Sequence, residues 1–348
     1  MCAVIPFDAV NAQSGHAKLW NIFDKCLDFS DSEIKMSDIP NELIDAAWYV
    51  DANGVLQLYS KDEGGLFDID GNKINGDAVD FFIPKPGDDN LIYCFSIAPR
   101  YYVVNLQNKN VVEKADLIED ILHNSHLTVH HANCKDIWIL FYVSSTVHKY
   151  LLTTEGIFYK GNYQLPERMR INLSKDCNYF TAISDITRHV YFGKFNRNTA
   201  EFQIISEYAE FPKEYVDLGH SIISPDMTKI YISGRYSGMR KVLFEIPIIN
   251  GIPDYETQTE IKVYPKQVPN YGTLFYYGPD GNIYTYTIGN FGVLKTNSKW
   301  ETVFEDEIIT YDYRISPSLD FVSTWLSDNP CNVSPCPQML APKIIIEN

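Results

Sequence analysis

The chain has 348 residues, 45% hydrophobic and 21% charged, with 29 Lys and Arg against 45 Asp and Glu for a formal net charge of −16. That apolar content supplies a full core and excludes a disordered, collagenous or coiled-coil chain. The acidic balance argues against nucleic acid as a partner, and no run reaches the roughly 18 apolar residues of a membrane helix, so no membrane-spanning segment is expected.

Residues 1–13 carry an apolar stretch from Cys2 to Val10 followed by Asn11-Ala12-Gln13. This matches the tail of a truncated secretory signal with cleavage near Ser14. Export to the periplasm, the outer-membrane surface or the extracellular space is therefore expected. The folded domain is expected over 14–330 and a tail over 331–348. Of the seven cysteines, most sit singly in strand-like segments, where small buried thiols are common. Cys331 and Cys336 lie close together in the tail and suit a local disulfide in an oxidising compartment; as a zinc site they lack two further ligands.

Aromatic residues make up 14% of the chain, with 24 Tyr and 19 Phe, a mix that favours strands. Helical periodicity is confined to Glu113–Leu122, where Leu117, Ile118, Ile121 and Leu122 share a helical face. The rest reads as short apolar or alternating runs bounded by Gly, Pro, Asn and Asp, which is a strand-and-turn pattern.

One feature recurs: an apolar run enters a small polar corner and leaves as an aromatic or aliphatic strand. In chain order the corners are Asp51-Ala52-Asn53-Gly54, Lys85-Pro86-Gly87-Asp88, His131-Ala132-Asn133-Cys134, Ser174-Lys175-Asp176-Cys177, Ser224-Pro225-Asp226, Gly278-Pro279-Asp280-Gly281 and Ser316-Pro317-Ser318. Their spacing of roughly 35 to 55 residues is that of a four-stranded propeller blade. Pro presets the first turn position, and Asp, Asn or Gly is expected to take the left-handed conformation at the corner. The fold expected is an all-β, seven-bladed β-propeller, with six blades as the alternative. The last copy, Tyr311 to Leu326, supplies too few strands, so Leu19 to Ser30 is expected to complete its blade.

Trp20-Asn21-Ile22-Phe23 with Leu27-Asp28-Phe29-Ser30, Asp51 to Tyr59, Ile83 to Gly87, His131 to Trp138 and Tyr150 to Gly156 resemble segments of exported WD40-like propellers of Bacteroidetes. That family includes the N-terminal propeller of gliding-motility-associated surface proteins. The resemblance spans most of residues 20 to 320 and implies an envelope or surface propeller; it carries over no catalytic residues.

Four positions before the corner serines lie Arg170, His220 and Asp312. At the mouth of a central channel they would form a recognition cluster, with Asp312 pairing Arg170 and raising the pKa of His220. The alternative is solvated channel lining. On an expected strand, His126 and His130 share one face about 7 Å apart, and no HExxH pattern accompanies them. Asp68-Ile69-Asp70-Gly71-Asn72-Lys73 begins like a calcium loop, but Lys73 stands where Gly is needed and Val79 where Glu is needed, so a hairpin turn is expected. Tyr271, Tyr276, Tyr277, Tyr284 and Tyr286 suit either sugar stacking or inter-blade packing. No cofactor, metal or catalytic residue is assigned. The function expected is a non-catalytic exported binding or scaffold protein with a protein or glycan partner. The alternative is a carbohydrate-active enzyme, a glycan hydrolase or lyase, with its site at the channel mouth.

Overall fold

The computed structural model describes residues 19–22, 25–28, 35–38, 47–51, 55–61, 64–75, 78–96, 100–117, 125–184, 186–209, 211, 215–236, 241–263, 274–278, 282–287, 290–296, 302–310 and 345–346. The chain divides into two compact units, Met1–Tyr163 with Ile315–Asn348, and Gln164–Arg314.

In the first unit, β1 (Leu19–Ile22), β2 (Lys25–Asp28) and β3 (Lys35–Asp38) form a meander. Three antiparallel sheets follow. They are β4 (Ala47–Val50), β5 (Leu56–Lys61), β6 (Gly65–Asp68) and β7 (Lys73–Asn75); β8 (Phe81–Lys85), β9 (Asp88–Ser96), β10 (Arg100–Asn105) and β11 (Asn110–Asp116); and β12 (Ser125–His130), β13 (Ile137–Val143), β14 (Thr146–Thr153) and β15 (Gly156–Gln164).

The second unit holds β16 (Met169–Leu173), β17 (Tyr179–Ser184), β18 (Val190–Asn196) and β19 (Glu201–Tyr208). Next comes a five-stranded sheet of β20 (Tyr215–Ile223), β21 (Lys229–Tyr236), β22 (Lys241–Ile249), β23 (Ile252–Pro253) and β24 (Thr259–Val263). The last sheet contains β25 (Leu274–Tyr277), β26 (Ile283–Thr287), β27 (Asn290–Thr296) and β28 (Thr302–Thr310). Finally, β29 (Ile345–Ile346) returns to the first sheet and pairs in parallel with β3. The described residues contain no α-helix, only a 3-10 turn at Tyr255–Thr257. The architecture is all-β and of propeller type.

Alternation along the strands explains the packing, because successive side chains point to opposite faces. In the β8–β11 sheet, Phe82, Ile92, Cys94, Tyr102 and Val104 pack with Tyr49, Leu58 and Leu66 of the preceding sheet. Their neighbours Phe81, Ile83, Tyr93, Phe95, Tyr101 and Val103 pack with Ile137, Ile139, Phe141 and Tyr150 of the following one. A sheet buried on both faces must be apolar on both, which is why these strands read as near-continuous apolar runs. The outermost strands β11, β15 and β19 are mostly solvent-facing, and their charges blunt the exposed edges.

Three of the recurring corners share one backbone closure. The head N–H of His131, Ser174 and Ser224 donates to the carbonyl five residues on, at 2.9, 2.8 and 2.8 Å. At the two serine corners, Oγ donates to the Asp side chain two residues on at 2.5 and 2.6 Å. The same Oγ accepts the returning N–H of Tyr179 or Lys229 at 3.0 and 2.9 Å. The left-handed residue is not the Asp or Asn expected but the one after it: Cys134, Cys177 and Met227 have φ of 60°, 57° and 61°. Asp and Asn are needed instead as acceptors for the next N–H groups, as Asn133 Oδ1 is for Lys135 N at 3.0 Å.

One expectation fails. Glu113–Asp116 belongs to strand β11, not to a helix; Tyr101 donates to Glu113 at 2.7 Å, so sheet pairing overrides the local helical pattern, and 118–124 lie outside the described residues. The expected last copy, Tyr311 to Leu326, lies outside the described residues; ahead of it β28 completes the β25–β28 sheet at Thr310. Among the described residues, β1, β2 and β3 form a sheet with the C-terminal strand β29. The seventh corner and residues 1–13 lie outside the described residues.

A Cβ on Gly193 would stand 2.2 Å from the Gln203 carbonyl and 2.5 Å from the Phe180 ring. Gly193→Ala is therefore expected to cost about 1–3 kcal/mol or more. A lowered melting temperature with unchanged far-UV circular dichroism at 20 °C would bear this out; an unchanged one would contradict the packing described.

Candidate functional site

The strand ends opposite the corners carry a polar network in the 164–314 unit. The loop between β17 and β18 is closed by Ser184 N donating to His189 O at 2.9 Å. Ser184 Oγ accepts the N–H groups of Ile186 and Thr187 at 3.1 and 2.9 Å and donates to Glu167 Oε2 at 2.5 Å. Thr187 Oγ1 and Tyr191 OH donate to Glu167 Oε1 at 2.7 and 2.5 Å. Across the ladder Tyr191 stands opposite Glu207, whose Oε1 meets His189 Nδ1 at 2.6 Å. One carboxylate is thus covered by three hydroxyls, while the His189–Glu207 pair remains 26% and 47% exposed at its side chains.

The adjoining sheet continues the pattern. Arg188 Nη1 donates to Tyr215 O at 2.9 Å. The hydroxyls of Tyr215 and Tyr236 both donate to Glu260 Oε1, at 3.2 and 2.7 Å. Burial alone would raise the Glu167 carboxyl, but hydrogen bonds from Ser184, Tyr191 and Thr187, with the His189 charge, hold it below the ordinary value. Tyr191 and Tyr215 are pushed up, first by burial and then by these hydrogen bonds and carboxylate charges. The tyrosines therefore stay protonated donors and Glu167 stays an anionic acceptor at neutral pH. Such a fixed array of donors and acceptors suits hydroxyl-rich or polar ligands.

This network was not singled out by sequence. Its members come from the approach to β16, the β17–β18 loop and two further strands, so no linear spacing marks them. A cue lay in the register: Tyr101 with Glu113 in the first unit likewise joins a third-strand tyrosine to a fourth-strand glutamate.

Arg170 and His220 are brought together on β16 and β20. Arg170 Nη1 donates to Gly219 O at 2.8 Å and Asn172 Nδ2 to Ser221 O at 2.7 Å, tying the two strands. His220 lies in the irregularity between Leu218 and Ser221, its N–H donating to Ser233 Oγ at 2.8 Å. Its pKa is lowered to about 3 by burial and by the Arg170 charge, the reverse of the expected rise. Asp312 lies outside the described residues. His126 and His130 occupy strand β12 of the other unit, where the His126 ring stacks on Phe81 at 3.8 Å. Among the described residues no group of three or more His, Cys, Asp or Glu could hold a metal ion.

Cys331 and Cys336 also lie outside the described residues. Cys94 and Cys177 are buried thiols, whereas Cys134 is disulfide-bonded. Asp68–Asn72 is a hairpin turn with Gly71 at φ 82°, and Lys109 Nζ reaches Asp68 and Asp70 at 3.2 and 2.6 Å, where a bound cation would sit. Tyr277 and Tyr284 are buried packing residues, and the Tyr277 hydroxyl donates to Ile223 O. Tyr271 and the Tyr286 side chain are outside the described residues.

Four-stranded meanders packed face to face, with the same backbone closure at three corners and polar networks at the opposite ends, define a β-propeller. Solved structures agree. A candidate 6-phosphogluconolactonase of Bacteroides fragilis matches with a TM-score of 0.54 at 12% identity, over 86% of this chain and 95% of its own. A second, of Bacteroides uniformis, matches at 0.52 and 12%, over 83% and 92%. A Lactobacillus plantarum protein matches at 0.50 and 12%, over 86% of each chain. These likenesses show the fold. No protein-family model and no curated protein matches the chain. No helix among the described residues is long and apolar enough to cross a membrane.

Glu167 has a depressed pKa when folded, so its stabilisation is present above the ordinary value of 4.5 and is lost as pH falls through the folded value. Glu167→Gln is expected to cost about 1 kcal/mol at pH 7, near the low end for a charge-assisted network that is partly exposed. The difference in stability between wild type and variant should narrow below pH 4.5. Denaturant titrations at pH 7 and in the acid range measure both; a pH-independent difference would contradict the network.

Proposed function

We propose that the chain is a non-catalytic binding propeller, exported to the envelope or cell surface, which recognises a glycan or protein partner through the polar ends of its sheets. The reading takes its seven sheets as seven blades. The observation that carries it is the Glu167–Tyr191 network: its carboxylate is already satisfied by three hydroxyls, and its tyrosine is held protonated. Groups locked in this way present hydrogen bonds to a ligand but have little capacity to move a proton. The disulfide at Cys134 supports export, because such bonds persist in oxidising compartments.

The second reading, a carbohydrate-active enzyme, is favoured by one pair. His189 and Glu207 are hydrogen-bonded and partly exposed, which is the geometry of an acid–base couple.

A glycan array, together with capture from envelope extracts, separates the two. On the binding reading, Tyr191→Phe and Glu207→Gln each weaken a captured ligand about tenfold, or ~1.4 kcal/mol, with no turnover by the wild type. Hydrolysis of an arrayed glycan or of 6-phosphogluconolactone by the wild type, abolished in Glu207→Gln, would overturn it. His220→Ala tests the inner-strand pair: unaltered ligand binding removes Arg170 and His220 from the site.

A further inference from the structure

We propose that Tyr159 and His148, on the two outer strands of the β12–β15 sheet, form a stacking site for a pyranose ring of a neutral glycan. Tyr159 lies on the outermost strand β15 and is 43% exposed, yet its ring is held from behind. The ring stands 5.2 Å from that of Tyr150 and 6.3 Å from that of His148, the latter pair at an interplanar angle of 30°. Tyr150 is buried and meets Phe141 edge-on at 5.7 Å, inside the core shared with the β8–β11 sheet. Phe141, Tyr150 and Tyr159 thus lead from the core to the surface. An aromatic ring fixed in this way loses little freedom when a ligand covers it. Its face is apolar and its hydroxyl is wet, which matches a sugar ring with a C–H face and hydroxyl edges.

The surroundings leave room for such a ligand. Strand β15 has a glycine in its interior, Gly161 at φ 93°, and a Cβ there would meet nothing within 4 Å. Packing does not demand that glycine, and a glycine inside a strand suits the close approach of a ligand. His148 Nδ1 is buried with no hydrogen-bond partner among the described residues. Burial lowers the pKa of this ring, so it is neutral at pH 7. An orphaned buried N–H is disfavoured, so we place the proton on Nε2, where it can be donated to a hydroxyl oxygen. The charge pattern sets the ligand class. Strand β15 carries no carboxylate, whereas β11 carries Glu113 and Asp116 and β19 carries Glu201 and Glu207. Its one charge, Lys160, holds Nζ 5.4 Å from the Phe158 ring centroid and so covers that aromatic rather than Tyr159. In a chain of net charge −16, a tyrosine and a neutral imidazole favour an uncharged ligand over an acidic one. Tyr159, His148 and Gly161 belong to the unit that holds Met1–Tyr163, and they share no residue with the Glu167–Tyr191 network.

Calorimetric titration of the full chain at pH 7 tests the site, with maltohexaose, cellohexaose, mannohexaose and xylohexaose as probes and hexagalacturonate as the acidic control. Saturable binding of at least one neutral hexasaccharide is expected, and none of hexagalacturonate. Tyr159→Ala should weaken that binding about tenfold, or ~1.4 kcal/mol, whereas Tyr159→Phe, which keeps the ring, should stay within about twofold. If Tyr159→Ala does not fold, Tyr159→Leu takes its place with the same expectation, since it keeps apolar bulk against Tyr150 but offers no aromatic face. Failure of the wild type to bind any neutral hexasaccharide, equal affinity in the Tyr159 truncation, or tighter binding of hexagalacturonate would overturn the site. Binding lost in Glu207→Gln but kept in Tyr159→Ala would assign the glycan to the polar strand ends instead. A decaproline peptide that binds through Tyr159 where no sugar does would make the surface a peptide site and overturn the glycan assignment.

Discussion

One backbone N–H sets the register of three of the sheets, that of the residue heading the corner between the first and second strands. The serine heading two of these corners is buried, Ser174 at 0% and Ser224 at 1% exposure, so a donor left unpaired there would cost about 1–3 kcal/mol. At Ser174 and Ser224 that N–H reaches across to the carbonyl of the returning strand, and the hydroxyl meets both the Asp side chain and the returning N–H. His131 shares the backbone closure, while its ring nitrogen accepts from the nearer Asn133 N at 3.0 Å. Closing the corner in this way sets the register of the second strand. The register then decides which side chains face each neighbouring sheet, because a slip of one residue would turn every side chain over.

The opposite ends of the strands carry no such obligation. Their loops accommodate residues that do not serve the core, and in the second unit these are hydroxyls and carboxylates. Glu167, Tyr191 and Glu207 come within hydrogen-bond reach only because three strands end together. Arg188 links that cluster to Tyr215 on the next sheet. A rigid two-sided core that presents polar loop ends is a sound base for recognition, since loops vary without disturbing the sheets beneath them.

The repeat was legible because each corner is local chemistry. Of the seven copies visible in the sequence, the four whose corners lie wholly within the described residues all fall between the first and second strands of a sheet. A second corner recurs between third and fourth strands, where Asn105 and Asn196 accept local N–H groups and Lys109 and Ala200 take φ of 53°. It escaped notice because it lacks Pro and Gly. The helix expected at Glu113 failed for a different reason: its apolar residues matched a helical period, but Tyr101 and the β10 ladder claimed the segment. His220 shows the same limit in electrostatics. Its residue type suggested a titrating group, and only its burial beside Arg170 made it a neutral one.

By itself, then, the order of residues determined the strands, the corners and the repeating sheet, since turn chemistry and side-chain alternation act over a few neighbouring positions. Tertiary structure alone decided which distant groups meet: the hydroxyls on Glu167, the Phe81 ring against His126, and Lys241 opposite Arg235. The reason is physical. Charge, burial and hydrogen bonding depend on distance in space, and in a stack of sheets the partners that set them are brought together from remote parts of the chain.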